Sequence, residues 1–450
     1  WVGLRQQRKL ARAFGLLLEL GAGVAFFLAY PRLPPGPLLA DALFVGAIIL
    51  AVTGLWTHRL LSRREADTAA ERVLAPFVFL WALGWLIVAG GHEIETFISY
   101  GYRQPAWIAF LAAIALAFGL AAMRWDWREA RWPALALAPV LLALAAWSLV
   151  DRAHPFANGG WIAWPFALAV DFFLLARVGL DGKARWTAVL HVLSVALLAL
   201  IGALELEWLA AEHTGVETGW ALAARLVAPA LVLLAISSGA AERRWPVRDL
   251  PGVYRLGAAA TLVAAMALWS LHVNLSHAGG SDPLPYLPVV NALDLAHLLG
   301  VIAVVAAVHA ARRSALAIPS FFTPQVAAAA AGVVGFIWAN AMLLRTIHHW
   351  AGVAYRPDAL WHSVLVQASL SVFWSFLALT LMVLATRRGW RGLWMIGAAL
   401  MAVVIVKLVL IDLGQLSGIE RIVSFIGVGV LMLVIGYFSP VPPRKTEAAT

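Results

Sequence analysis

About fourteen apolar stretches, each long enough to cross a lipid bilayer, run the length of this chain, and basic residues crowd the loops after every second one. A hydrocarbon core of about 30 Å needs roughly 20 apolar residues in helical form. A helix satisfies its own backbone groups inside lipid, so stretches of this length read as spanning helices. They run Leu10–Tyr30, Pro37–Trp56, Val73–Gly91, Pro105–Met123, Pro133–Val150, Trp161–Val178 and Thr187–Ala210 in the first half. Trp220–Ser238, Leu256–Leu275, Pro288–Ala310, Gln325–Leu344, Ser363–Ala385, Gly392–Ile411 and Ile422–Phe438 follow. Composition agrees, with 62% hydrophobic and 13% charged residues, against about a quarter charged in soluble domains. The expected fold is all-α: a polytopic integral membrane bundle of about 14 transmembrane helices built from helical hairpins. It forms a single transmembrane region over residues 1–450, whose last segment, 439–450, is a polar cytoplasmic tail behind Ser439-Pro440-Val441-Pro442-Pro443.

Orientation follows from charge. One set of loops, from Arg5, Arg8, Lys9 and Arg12 through to Arg444 and Lys445, holds 25 of the 33 Lys and Arg residues. The positive-inside rule sets those loops, and both ends of the chain, in the cytoplasm of a bacterial inner membrane. The net charge of +9 is thus membrane topology. No long basic stripe with interleaved aromatics lies outside the membrane edges, so membrane lipids are the expected partners and nucleic acid is not. Trp107, Trp125, Trp127, Trp132, Trp161, Trp186, Trp220, Trp245 and Trp390 sit near the predicted interfaces, where an amphipathic ring is favoured. The chain opens on Trp1, and Trp1 to Leu4 read as the tail of an earlier spanning helix. A missing N-terminal half of the same protein is the second expected partner.

Four helix ends share a polar character: Gly91-His92-Glu93-Ile94-Glu95, Leu204-Glu205-Leu206-Glu207-Trp208, Leu271-His272-Val273-Asn274 and Ile347-His348-His349-Trp350. Duplicated hairpins would give this recurrence; so would a general tolerance of helix ends for polar residues. Within the spans, Glu19, Asp171 and Arg225 stand alone on apolar helices and read as interhelical glue.

The last third carries a denser constellation. Asn291, Asp294 and His297 are spaced by three and share a helix face, where a carboxylate could fix the imidazole tautomer. Asn340 and His348 lie near one face of the next span, with Arg345 and His349 at i and i+4. Ser363 and Gln367 follow, then Lys407, Asp412, Glu420 and Arg421. Most of these fall at one depth, which suits an outward-open polar groove; Lys407, Asp412, Glu420 and Arg421 also suit an ion-pair network closing the bundle. Asp294, His297 and His348 offer zinc-type ligands, but no HExxH spacing is present. Adjacent His348 and His349 point about 100° apart on a helix. No metal and no cofactor is assigned. The absence of cysteine excludes disulfides, iron–sulfur clusters and thiolate zinc sites.

Three blocks are similar to a known family. They are Trp338-Ala339-Asn340-Ala341-Met342-Leu343-Leu344-Arg345-Thr346-Ile347-His348-His349, then Arg391-Gly392-Leu393-Trp394 with Val406-Lys407-Leu408-Val409-Leu410-Ile411-Asp412-Leu413, and Arg421-Ile422-Val423-Ser424-Phe425-Ile426-Gly427-Val428-Gly429 with Gly436-Tyr437. They resemble a bacterial family of predicted membrane proteins, domain of unknown function 2339. The opening Trp1-Val2-Gly3-Leu4-Arg5-Gln6-Gln7-Arg8 looks like that family's mid-chain junction. The resemblance implies a longer multi-span protein of which this is the C-terminal half, and it implies no activity.

Three functions are therefore open. A carrier or flippase-like transporter of an envelope lipid or glycan component would use the polar cluster as its groove. A membrane transferase would use His348 or His349 as general base and Arg345 to hold an anionic group. A scaffold would use the same residues only to lock helices.

Overall fold

A computed structural model describes residues 8–29, 36–63, 69–151, 154–178, 185–216, 218–314, 316, 323–408, 426, 429 and 433. The described residues form helices joined by turns and loops, with no strand among them. The helices are α1 (Lys9–Ala29), α2 (Ala42–Arg63), α3 (Ala69–Phe97), α4 (Tyr100–Trp125), α5 (Trp132–Asp151), α6 (Gly160–Arg177) and α7 (Arg185–Thr214). They continue as α8 (Gly219–Ser237), α9 (Ala259–Ser276), α10 (Ala292–Arg313), α11 (Pro324–Ala351), the short α12 (Pro357–His362), α13 (Val364–Arg388) and α14 (Arg391–Lys407). A π-helical turn, Val253–Ala258, leads into α9.

Twelve of these are long and apolar enough to span a bilayer, and they coincide with the first twelve apolar stretches of the sequence. The thirteenth stretch is seen as α14, described for 17 residues. Of the fourteenth, residues 426, 429 and 433 alone are described, while Asp412, Glu420, Arg421 and the tail lie outside the described residues. Large apolar side chains such as Phe14, Phe27, Val372 and Phe376 are exposed along the spans, which is the outward face a lipid-solvated helix presents.

The chain divides into two compact units. One comprises Trp1–Leu209, Val227–Val263 and Ala303–Leu316; the other comprises Ala210–Leu226, Ala264–Ile302 and Ala317–Thr450. In the first unit, α4, α5, α6 and α7 pack around Ile108, Leu137, Leu141, Trp164, Leu174 and Leu197. Small residues let helices approach closely, the usual device where lipid supplies no hydrophobic drive between them. A Cβ on Gly54 of α2 would lie 2.8 Å from the Ala82 Cβ of α3. In the second unit, a Cβ on Gly397 of α14 would lie 3.0 Å from the Ala378 carbonyl of α13.

Isolated polar residues act between helices. Thr57 Oγ1 donates to Glu19 Oε2 at 2.8 Å, joining α2 to α1. Asp171 of α6 is fully buried against Ser194 of α7, and Arg225 is half-buried on α8. Of the interfacial tryptophans, Trp125, Trp161, Trp186, Trp245 and Trp390 are exposed. Trp127 departs from the belt: it is buried beside Phe79 and Phe118 and stacks on His58 at 5.6 Å.

Candidate functional site

The second unit brings the Asn291–Arg345 residues together, but with partners the spacing alone does not give. Asn291 caps α10 by accepting the Asp294 N–H at 3.0 Å, as short polar side chains do before a first turn. Asp294 is fully buried. Its Oδ2 accepts from Asn291 Nδ2 at 2.6 Å and from the Val289 N–H at 3.0 Å. Its Oδ1 accepts from Trp338 Nε1 of α11 at 2.8 Å. The expected Asp294–His297 bond is absent because every Asp294 contact points back to the helix start or across to α11. The His297 ring instead has Nδ1 2.7 Å from the Leu293 carbonyl, and Nε2 3.0 Å from both Ser270 Oγ and Asn274 Nδ2. An Nδ1–H donor with Nε2 as acceptor satisfies all three. Trp338 stacks on the ring at 5.1 Å.

Arg345 is the fully buried cation of α11. Its Nη2 donates to the Val273 carbonyl at 2.8 Å and its Nε to the His277 carbonyl at 3.1 Å. The Val273 carbonyl, in the last turn of α9, also accepts the His277 N–H at 3.1 Å, and the His277 carbonyl lies just past the helix end, where the negative end of the helix dipole favours a cation. The same end of α11 clamps the loop beyond. His349 Nε2–H donates to the Ala278 carbonyl at 3.1 Å, and Trp350 Nε1 to the Tyr286 carbonyl at 3.1 Å. Tyr286 stacks on His349 at 4.4 Å. Gly279, at φ +66°, brings the loop so near that a Cβ there would stand 2.8 Å from Leu293. His348 Nδ1–H turns the other way, to the Val353 carbonyl at 2.6 Å.

The Arg345 guanidinium faces the Tyr355 hydroxyl, and the Tyr286 hydroxyl faces Thr346. Burial, reinforced by Asp294, pushes the Tyr286 phenol up to about 12, against the opposing pull of Arg345. Burial also raises the Tyr355 phenol, again opposed by Arg345. Both phenols therefore stay protonated at neutral pH. His297, His348 and Asp294 form no metal cluster. Among the described residues, the group that could hold a metal is Asp41, His92 and Glu93, in the first unit, which the sequence spacing did not single out.

A cavity of about 440 Å³ lies apart from that clamp, among α11, α12, α13 and α14. Leu344, Leu360, Trp361, Leu370, Trp374 and Val403 give it apolar and aromatic walls; Gln367 and Lys407 are its polar residues. Asn340 braces one wall, accepting from Trp374 Nε1 at 2.7 Å while donating to the Phe336 carbonyl at 2.7 Å. Gln367 Nε2 donates to the Trp361 carbonyl at 2.9 Å and so fixes the end of α12. Lys407 is buried, and its Nζ donates to the Gln367 carbonyl at 3.0 Å and to Ser371 Oγ at 2.8 Å. The ammonium is held at the cavity wall rather than extended along the helix to the membrane edge. Of the polar residues in the last third, the structure thus divides Asn291, Asp294, His297, Arg345 and His349 from Asn340, Gln367 and Lys407.

The four polar helix ends have a shared task. Glu93 Oε2 accepts the Leu39 N–H at 3.0 Å, and Glu205 Oε2 accepts the Phe156 N–H at 3.0 Å. His272 meets His277 at 3.3 Å, and Arg345 with His349 holds residues 277 and 278. Two helix entries match closely. Ala40 N–H bonds the Pro37 carbonyl and Val290 N–H the Leu287 carbonyl, with Leu39 at φ +60° and Val289 at φ +68° inside the turns. Asp41 then caps Phe44 at 2.6 Å as Asn291 caps Asp294. A left-handed Leu or Val is strained, and in both turns a carboxylate holds its N–H.

A family model described as "Predicted membrane protein (DUF2339)" matches residues 1–442. No curated protein and no solved structure matches the chain.

Proposed function

The chain belongs to this family of multi-span membrane proteins, and from that premise we propose that it is a carrier for an amphipathic anionic component of the bacterial envelope, a lipid or a lipid-linked glycan, in the inner membrane. The observation that supports the reading is the cavity beside Lys407. Its volume of about 440 Å³ lies in the range of small-ligand sites, roughly 300–1,000 Å³. Its walls are apolar and aromatic, suited to an acyl or isoprenoid chain. Lys407, already bonded to the Gln367 carbonyl and Ser371 Oγ, sets a positive charge at that wall, and such a charge is suited to a phosphate or carboxylate head.

The test is native mass spectrometry of the gently purified protein beside Lys407→Met. The expected result is a defined anionic lipid or glycolipid on the wild type and its loss from a variant that remains folded. Equal retention by both would overturn the reading. A scaffold role is supported for the other half of the constellation, because Arg345 and His349 spend their donors on backbone carbonyls of α9 and its following loop.

A further inference from the structure

Asp41, His92 and Glu93 belong neither to the cavity nor to the Arg345 clamp. Asp41 immediately precedes α2; His92 and Glu93 lie near the C-terminal end of α3. One oxygen from each acid and one ring nitrogen of His92 all fall within 4.8 Å of one another. Both acids are more than nine-tenths buried. Each commits one oxygen to the backbone: Asp41 Oδ1 to the Phe44 N–H at 2.6 Å, and Glu93 Oε2 to the Leu39 N–H at 3.0 Å. Asp41 Oδ2 faces His92 Nε2 at 2.5 Å. Glu93 Oε1 is buried with no hydrogen-bond partner. A buried carboxylate oxygen without a partner is expensive, and here it stands beside a second carboxylate.

We propose that Asp41, His92 and Glu93 bind a divalent transition-metal cation of the zinc type, which ties the start of α2 to the end of α3. Two carboxylates and an imidazole are a donor set such ions take, and three protein ligands leave a fourth position for water. The bonds to Phe44 and Leu39 orient the two carboxylates, the part that outer partners play around a metal. Ligands about 2.0 Å from a tetrahedral ion stand roughly 3.3 Å apart. The Asp41–His92 pair therefore opens by about 1 Å, and Glu93 closes in. The proton of His92 Nε2 moves to Nδ1, which faces Thr96 Oγ1 at 3.5 Å. The His92 side chain is partly exposed and gives the ion a way in.

The test strips the full chain with chelator in detergent, then titrates zinc chloride by calorimetry and cobalt chloride by visible absorption. Glu93→Gln and Asp41→Asn keep the oxygens that hold Leu39 and Phe44 while removing a charge. His92→Ala removes a ligand and touches neither backbone bond, so it carries the test if an acid variant fails to fold. The expected result is one zinc per chain, tetrahedral cobalt bands, and affinity at least tenfold weaker in each folded variant. No binding by the wild type, or equal binding by wild type and His92→Ala, would overturn the proposal.

Discussion

Arg345 and Lys407 are both cations buried within the second unit, yet they do opposite work. Arg345 lies in closed packing and gives two of its donors to carbonyls in the last turn of α9 and just beyond it. Lys407 stands at the wall of a cavity, and its partners include the Gln367 carbonyl and the Ser371 hydroxyl. A buried charge in a membrane bundle is therefore not by itself a ligand site. What separates the two is the space beside the charge: a helix end fills it for Arg345, and an open-sided groove lies beside Lys407.

The contrast breaks most visibly at Arg345. Arg345→Met removes a charged donor from both carbonyls and leaves that of His277 without its Arg345 partner, while Val273 keeps the His277 N–H; an unsatisfied buried group costs about 1–3 kcal/mol, and bonds to a charged group are stronger than neutral ones. The expected outcome is a loss of several kcal/mol, read as a large fall in the midpoint of thermal unfolding in detergent. Asp294→Ala comes next. It strands the Trp338 Nε1–H, the Asn291 amide and the strained Val289 N–H, and should cost about 2–3 kcal/mol, whereas Asp294→Asn should cost less. Lys407→Met, at the opposite pole, should lower the midpoint by only about 1 kcal/mol equivalent while abolishing retention of an anionic lipid. A Lys407 variant as damaging as the Arg345 variant would erase the distinction.

The smallest effect lies at a membrane edge. Arg255 Nη2 bonds Glu242 Oε1 at 2.6 Å, and this hydrogen bond, with the charge of Arg255, holds the Glu242 carboxyl below its ordinary value of 4.5. A lowered folded pKa means stability present above that ordinary value and lost as pH falls through the folded one. Glu242→Gln should lower the midpoint slightly at neutral pH, where the pair contributes, and flatten that part of the acid limb, where the wild type loses it anyway.

How much of this was legible in the sequence follows the physics of each signal. The spans were, because about 20 apolar residues in a row admit few other readings. The α2 and α10 entries were half legible: Asp41-Ala42-Leu43 and Asn291-Ala292-Leu293 each follow a proline and open a helix, but the left-handed Leu39 and Val289 carry no mark in their residue type. Spacing by three placed Asp294 and His297 on one face, yet a face does not choose partners, and Trp338 took the carboxylate. Arg345 and His349 at i and i+4 do work on one loop. Asp41 and His92 are 51 residues apart, and only the α2–α3 hairpin joins them. The cavity was invisible for the same reason: it is the gap between four helices, and no one of them encodes it.

The central claim, that the space beside Lys407 receives a lipid, is tested most directly by cross-linking. A phosphatidic acid with a diazirine in its acyl chain is incorporated into nanodiscs with the full chain, irradiated and mapped by peptide mass spectrometry. Adducts on Trp361, Leu370 or Trp374, reduced in Lys407→Met, are the predicted result. Adducts confined to outward residues such as Val372 and Phe376, unchanged by the substitution, would contradict it.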